Sequence, residues 1–343
     1  CDMTASEFRN ELKHISGGYL FCGEEDYLMR HYLAAARDSV VAKDDVFNRI
    51  IITSDNYSPD VLMSALESLP VMSDRKFIEI SGLPLGDMKE QDTDDLCDIL
   101  SRLPEYEYNI LIIYADADNF DPGTAKTPSK LFKKLPPAVK PVMFPRETPA
   151  RLASWTAKHF AAGLIVAPPD AVNRLISRCG CDMSVLASEI DKLTYYLKSV
   201  GREKLTEADV DLVSSESREI AAFDFANAIL DGNAGRALSI LSELRLRKEK
   251  PEIILSGITR VICDLCAVKA LLESGVSSQT AAQRLKMHSY KAGLYIKSAS
   301  RTDSAKLRRL ASICYDADIR IKTTPLDSYG VLDRLTVEAS MRG

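Results

Sequence analysis

Residues able to do chemistry are thinly spread along this chain, and the first question is whether any of them converge. The segment Tyr19-Leu20-Phe21-Cys22-Gly23-Glu24-Glu25-Asp26-Tyr27-Leu28-Met29-Arg30 has the strand, turn and helix order in which a phosphate loop would sit. Such a loop needs glycines, so that backbone N–H groups can converge, and a lysine that reaches the outer phosphates. Here Gly23 stands alone, and Glu24, Glu25 and Asp26 fill the turn. Two like charges ~4 Å apart repel by about 4 kcal/mol at an effective dielectric near ~20, so a triphosphate is disfavoured. The later run Phe77-Ile78-Glu79-Ile80 leads into Ser81-Gly82-Leu83, with no Asp-Glu pair to hold magnesium or orient water. The expectation is a nucleotide-binding scaffold that has lost its nucleotide site and takes no cofactor.

Other constellations are equally sparse. His14, His31, His159 and His288 lie far apart without metal spacing, and no G-x-S-x-G elbow occurs. Asp116 and Asp118 follow the apolar run Ile110–Tyr114, at a strand end where open α/β sheets often bind ligands. The residues that follow, Asn119-Phe120-Asp121-Pro122-Gly123, are plain turn chemistry, which is the expected role. The eight cysteines, at 1, 22, 97, 179, 181, 263, 266 and 314, are scattered. Cys263 and Cys266 have C-x-x-C spacing but sit in an apolar helical run with no second pair. They and Cys179/Cys181 are expected to be buried core thiols. No catalytic and no metal-binding residue is expected.

One segment has the composition of a contact element. After a helical stretch from Pro59 comes Glu67-Ser68-Leu69-Pro70-Val71-Met72-Ser73-Asp74-Arg75-Lys76, then a strand. Leu69, Val71 and Met72 place three apolar groups around a proline at a helix-to-strand corner. They either fold back on the domain or form a plug for a partner's pocket. From the residues alone, core packing is the expectation.

The elements that would hold these residues can be read from periodicity. Strand signals at Gly18–Cys22, Phe47–Thr53, Lys76–Ile80, Asn109–Tyr114 and Val139–Phe144 alternate with helical patterns at Asp26–Val40, Pro59–Leu69, Asp94–Leu103 and Ser129–Leu135. That alternation predicts an α/β unit with a mostly parallel sheet over 1–145. Beyond Phe144 the signals are helical. Thr148-Pro149 opens one helix, followed by Pro169–Arg178, Ser184–Leu197 and Thr206–Val213, the last with a Thr206-x-x-Asp209 capping box. These predict a small helical domain over 146–214. Longer patterns at Phe223–Leu230, Ala234–Leu246, Pro251–Leu272, Ala305–Ile321 and from Pro325 through Val337 predict a helical bundle over 215–343.

With 343 residues, 46% hydrophobic and 27% charged, the chain has the composition of a multidomain globular protein. No apolar run spans a bilayer and no secretory signal opens the sequence, so a soluble, cytoplasmic protein is expected. Residues 1–213 carry 24 basic and 34 acidic side chains, whereas 214–343 carry 20 and 15. The acidic part is unsuited to phosphate backbones. The clusters Arg245, Arg247, Lys248, Lys250 and Lys306, Arg308, Arg309 are expected to be solvated helix faces, with weak DNA contact as the alternative.

Taken together, Gly18–Gly23 leading into Glu24–Leu28, the corner Leu69-Pro70-Val71-Met72 with Arg75-Lys76, the strand Asn109–Tyr114, and the helices Ser184–Leu193 and Asp224–Leu241 resemble the delta subunits of bacterial DNA polymerase III clamp loaders. The resemblance runs along essentially the whole chain. It implies an AAA+-type α/β domain without ATP binding, a helical lid domain and a helical collar domain. It implies a clamp-opening wrench that binds the beta sliding clamp through Leu69, Pro70, Val71 and Met72. Many relatives carry a larger aromatic residue where Met72 stands. The implied partners are the clamp, the gamma/tau motor and delta-prime subunits through the collar, and primed DNA weakly within the complex. The chain itself would be non-catalytic, though classed with the DNA-directed DNA polymerase, a nucleotidyltransferase, to which it belongs. Ser177-Arg178-Cys179 spells an arginine-finger tripeptide, but in the second domain, where it is read as coincidence. The rival readings are an ATP-hydrolysing AAA+ motor and a helical adaptor of another complex.

Overall fold

The computed structural model describes residues 3–123, 127–285, 287 and 289–341. Cys1 and His288 lie outside the described residues. The chain parts into two compact units, Cys1–Glu147 and Thr148–Gly343.

The first unit is built on a six-stranded sheet in the order β1-β6-β2-β5-β4-β3. Its strands are β1 (Met3–Thr4), β2 (Gly17–Gly23), β3 (Arg49–Thr53), β4 (Lys76–Ser81), β5 (Asn109–Asp116) and β6 (Val139–Phe144), and every pairing is parallel. Helices α1 (Ala5–Glu11), α2 (Asp26–Val40), α3 (Pro59–Glu67), α4 (Glu90–Ser101) and α5 (Lys130–Lys134) lie between the strands. Alternation along the strands feeds two cores. Leu20, Ile78, Ile80, Leu111 and Ile113 pack with Leu62 and Leu66 of α3 and Leu96 and Leu100 of α4. Tyr19, Phe21, Phe77, Ile110 and Ile112 pack with Phe8 of α1 and Met29 and Leu33 of α2. Because both faces of β5 are covered, its sequence is a continuous apolar run rather than an alternating one. The expected α/β class and parallel sheet are therefore present.

Several boundaries differ from the periodicity: α4 starts at Glu90 rather than Asp94, the helix expected from Phe223, in the second unit, starts at Arg218, and two others have a visible cause. The strand pattern from Phe47 begins only at Arg49, because Asp45 accepts hydrogen bonds from the N–H groups of Phe47 (3.1 Å) and Asn48 (3.0 Å) and turns the chain. The helix from Pro59 stops at Glu67 rather than Leu69. Ser68 is already extended, and a residue before proline, here Leu69, is pushed out of the α region.

The second unit is built from helices, with one isolated parallel bridge between Val166 and Lys204 among its described residues. Its first helices are α6 (Pro149–Ala162), α7 (Pro169–Cys179), α8 (Met183–Ser199) and α9 (Glu207–Val213). Thr206 caps α9 as the sequence suggests: its hydroxyl accepts from the Asp209 N–H at 3.3 Å, and the Asp209 carboxylate accepts from the Thr206 N–H at 3.0 Å. The remaining helices are α10 (Arg218–Leu230), α11 (Ala234–Leu246), α12 (Pro251–Glu273), α13 (Ser278–Arg284), α14 (Ser289–Arg301), α15 (Ser304–Thr323) and α16 (Ser328–Ser340). Phe225, Ile229, Leu241, Ile258, Ile262, Leu265, Leu310 and Leu332 are among the residues of their single shared core.

Of Cys179, Cys181, Cys263 and Cys266, all expected to be buried, only Cys179 is fully so. Cys22, Cys97, Cys179 and Cys314 are buried and Cys181 and Cys266 half-buried, but Cys263 is exposed. Ile262 and Leu265 take the inner face of α12, which turns Cys263 outward. No helix among the described residues is long and apolar enough to cross a membrane.

Candidate functional site

The corner between α3 and β4 is fixed in its backbone and open in its side chains. Ser58 caps α3, its hydroxyl accepting from the Val61 N–H at 3.2 Å, with Pro59 in the first turn. The other end of the helix is held by side chains from neighbouring strands. Lys76, buried at the start of β4, donates to the Ala65 carbonyl at 2.6 Å, to the Ser68 hydroxyl at 2.8 Å and to the Ser68 carbonyl. Asn109 donates to the Leu66 carbonyl at 2.9 Å, and Tyr108 donates to the carbonyls of Leu66 (3.2 Å) and Glu67 (3.1 Å). A cation at a helix C-terminus complements both the orphan carbonyls and the dipole. Burial pushes the Lys76 ammonium down to about 8.

The loop beyond α3 is tied as firmly. The Asn48 side chain accepts from the Val71 N–H at 2.7 Å and donates to the Val71 carbonyl at 2.8 Å, while Arg75 donates to the Ile15 carbonyl. Met72 takes the left-handed conformation, φ 52°, uncommon for a residue with a side chain. On this backbone Leu69 is 73% exposed, Val71 50% exposed and Met72 fully in solvent, with Pro70 half-buried. The expectation of core packing fails here, because the space under the corner is already filled by Lys76 and the α3 carbonyls it bonds. Sequence reasoning missed Lys76 and Asn48 as the fasteners of this loop. A lysine opening the apolar run Lys76-Phe77-Ile78 is the available signal for the first.

The β2–α2 turn is finished differently. Gly23 has φ 141°, and a Cβ there would stand 2.2 Å from the Phe144 carbonyl oxygen, so only glycine lets β6 approach. The Glu25 N–H donates to that same oxygen at 3.0 Å. Asp26, the first residue of α2, pairs with Arg30 at 2.6 Å and accepts from the Tyr114 hydroxyl, and Glu24 pairs with Arg146 at 3.1 Å. The three acids are thus not a bare repulsive cluster. The first turn of α2, where a phosphate would lie, carries a carboxylate of its own at Asp26.

The remaining candidates serve local structure. The Asp116 carboxylate accepts from the N–H groups of Asp118 (3.1 Å) and Asn119 (3.0 Å), which is the turn role expected of it. Arg178 of the Ser177-Arg178-Cys179 tripeptide donates to the Ser214 carbonyl at 3.3 Å, within the second unit. Among the described residues, no three His, Cys, Asp or Glu side chains converge as a metal set.

Two family models match this chain. That of the DNA polymerase III delta subunit matches residues 19–140, which include both the acidic turn and the corner, and that of the C-terminal domain of the same family matches residues 219–339. The chain belongs to the DNA polymerase III delta subunit family. A curated relative of this delta-family chain, DNA polymerase III subunit delta of Bacillus subtilis (strain 168), is 22% identical over 335 residues, covering 94% of this chain and 93% of the relative. Among solved structures, the Bacillus subtilis DNA clamp loader delta protein matches with a TM-score of 0.77 at 20% identity, over 98% of this chain and 100% of that one. The delta-family fold therefore extends along the chain from the parallel sheet through the helical region.

Proposed function

We propose that this chain is the clamp-opening subunit of a DNA polymerase III clamp loader. It binds the beta sliding clamp through Leu69, Pro70, Val71 and Met72 and helps load the clamp on primed DNA in the cytoplasm. The observation that carries the reading is the corner itself, where apolar side chains stand in solvent on a backbone clamped by Lys76, Asn109, Tyr108 and Asn48. Soluble domains seldom fix a loop so completely in order to expose Leu, Val and Met, unless a partner covers them. A few well-packed anchors entering a pocket supply most of the energy of such an interface.

Opening a ring follows from rigidity. A ligand shifts a two-state equilibrium only by its differential affinity for the two states. A stiff corner can favour an opened clamp geometry over a closed one, whereas a floppy loop would adapt to both. No ATP chemistry is assigned to this chain, since the acidic turn Glu24-Glu25-Asp26 stands where a phosphate loop would; hydrolysis belongs to the gamma/tau motor subunits. In this reading residues 1–145 bind the clamp, 146–214 form the lid, and 215–343 form the collar that joins the motor and delta-prime subunits. Primed DNA is touched weakly, within the assembled loader.

The test is size-exclusion chromatography and titration calorimetry of the purified chain with its cognate sliding clamp, without nucleotide. A stable complex is expected. Failure to bind the clamp, or magnesium-dependent ATP hydrolysis by the chain alone, would overturn the reading.

A further inference from the structure

Asn48 lies in the turn before β3, buried, and its amide is laid against both backbone groups of Val71 in the manner of a β-bridge. The same Nδ2 also donates to the Asp45 carboxylate at 2.7 Å, and Asp45 in turn accepts from the N–H groups of Phe47 and Asn48. These hydrogen bonds, that with the Asn48 side chain foremost, hold the Asp45 carboxyl below the ordinary carboxylate range and keep it ionised as their acceptor. One hydrogen-bonded unit therefore shapes two turns, 45–48 and 69–72.

The first of these turns also carries apolar side chains into solvent. Val46 and Phe47 are each 74% exposed, although neither is needed by the sheet. The two turns lead into β3 and β4, which are sheet neighbours in the register Arg49 to Phe77. Val46, Phe47, Leu69, Val71 and Met72 are thus five exposed apolar residues at one end of the sheet, joined through Asn48. Exposed apolar groups gathered on two linked turns point to an interaction site rather than to ordinary scatter.

We propose that Asn48 is the positioning residue of the corner, and that it joins the turn bearing Val46 and Phe47 to Leu69–Met72 as one preset docking face for the sliding clamp. The assignment of the clamp rests on the function proposed above, and continuity of the two turns through Asn48 is what extends its contact to Val46 and Phe47. Presetting the loop removes the ordering cost that a free loop would meet on binding. The left-handed Met72 next to Val71 is the conformation that Asn48 holds in place.

The experiment uses the intact chain and its cognate clamp, with Val71→Ala/Met72→Ala as the reference for lost binding. Without clamp, Asn48→Ala should speed amide exchange of the Val71 N–H by at least about tenfold while the α/β unit stays folded. With clamp, Asn48→Ala should weaken affinity about tenfold, and this loss should shrink when Met72 is already alanine, a coupling that general destabilisation would not produce. Val46→Ser/Phe47→Ser should weaken affinity by about tenfold or more. Both residues are exposed, so that variant folds even where Asn48→Ala does not, and it decides the extent of the face by itself. If Val71→Ala/Met72→Ala loses the clamp while Val46→Ser/Phe47→Ser binds it like the wild type, the extended face is wrong and the proposed function stands. Unchanged Val71 exchange in Asn48→Ala overturns the positioning role. A wild-type chain that ignores the clamp overturns both.

Discussion

Two helix ends of the α/β unit are completed in opposite ways. At the N-terminus of α2, Asp26 meets Arg30 and Tyr114, and Glu24 meets Arg146, so the turn is closed by its own charges. At the C-terminus of α3, Lys76, Asn109 and Tyr108 satisfy the carbonyls from beneath and leave the side chains of Leu69, Val71 and Met72 outside. Both ends are tied by side chains, yet one pairs its own charges and the other presents a surface. One sheet can thus carry a self-paired turn and a displayed corner side by side, because a fixed backbone suits docking as well as it suits catalysis.

The largest effect expected from breaking this arrangement is at Gly23. Gly23→Ala forces a Cβ against the Phe144 carbonyl at a positive φ, and should cost about 3 kcal/mol or more. The measure is denaturant unfolding; a loss below about 1 kcal/mol would mean that the turn is looser than its geometry implies.

Lys76 is next. Lys76→Met strips the donors from the end of α3 and should cost about 2–3 kcal/mol. It should also change the pH profile. Burial puts the folded ammonium at about 8, below the ~10.4 of an exposed lysine. In that window the unfolded chain holds the extra proton, so this contribution to stability grows as pH rises from about 8 toward ~10 and is lost as pH falls through about 8. The stability gap between wild type and Lys76→Met should therefore widen from pH ~7.5 to ~9.5, to be checked by melts at both values. A gap that narrows would contradict the assigned shift.

The smallest expected effect is a null one, at the closed end. Magnesium-ATP should leave the melting temperature unchanged, whereas a ligand at ~100 times its Kd would stabilise by about 2.7 kcal/mol. A clear nucleotide-dependent thermal shift would show that Asp26 does not close the turn.

Much of this contrast is legible in the sequence, for identifiable reasons. Helix α2 can be read at its observed limits because Met29, Leu33 and Ala36 recur on one face, and β5 because both its faces are buried. Helix α14 escapes such a reading: Ala292, Tyr295 and Ala299 make its inner face, and such small or aromatic residues give a weak periodic signal beside Leu or Ile. Strand β1 has two residues and exists through its pairing with β6. The acidic turn is visible as a missing phosphate loop, but its pairing partners Tyr114 and Arg146 lie far along the chain. At the corner, the apolar residues are plain and their exposure is not. The loop that carries them is tied at Val71 to Asn48, 23 positions upstream, and no local pattern records that contact.

The central claim, that the corner is a displayed plug, is tested most directly by Val71→Ala/Met72→Ala. If the pair anchors the clamp, each truncation costs about 2 kcal/mol or more in binding, and about 1.4 kcal/mol is tenfold. Clamp affinity measured by calorimetry should then fall at least several-hundred-fold, with the thermal melt of the isolated chain unchanged, since Met72 is in solvent and Val71 half so. A variant that melts early, as a core truncation of roughly 2–5 kcal/mol would, yet while folded binds the clamp like the wild type, would contradict the account.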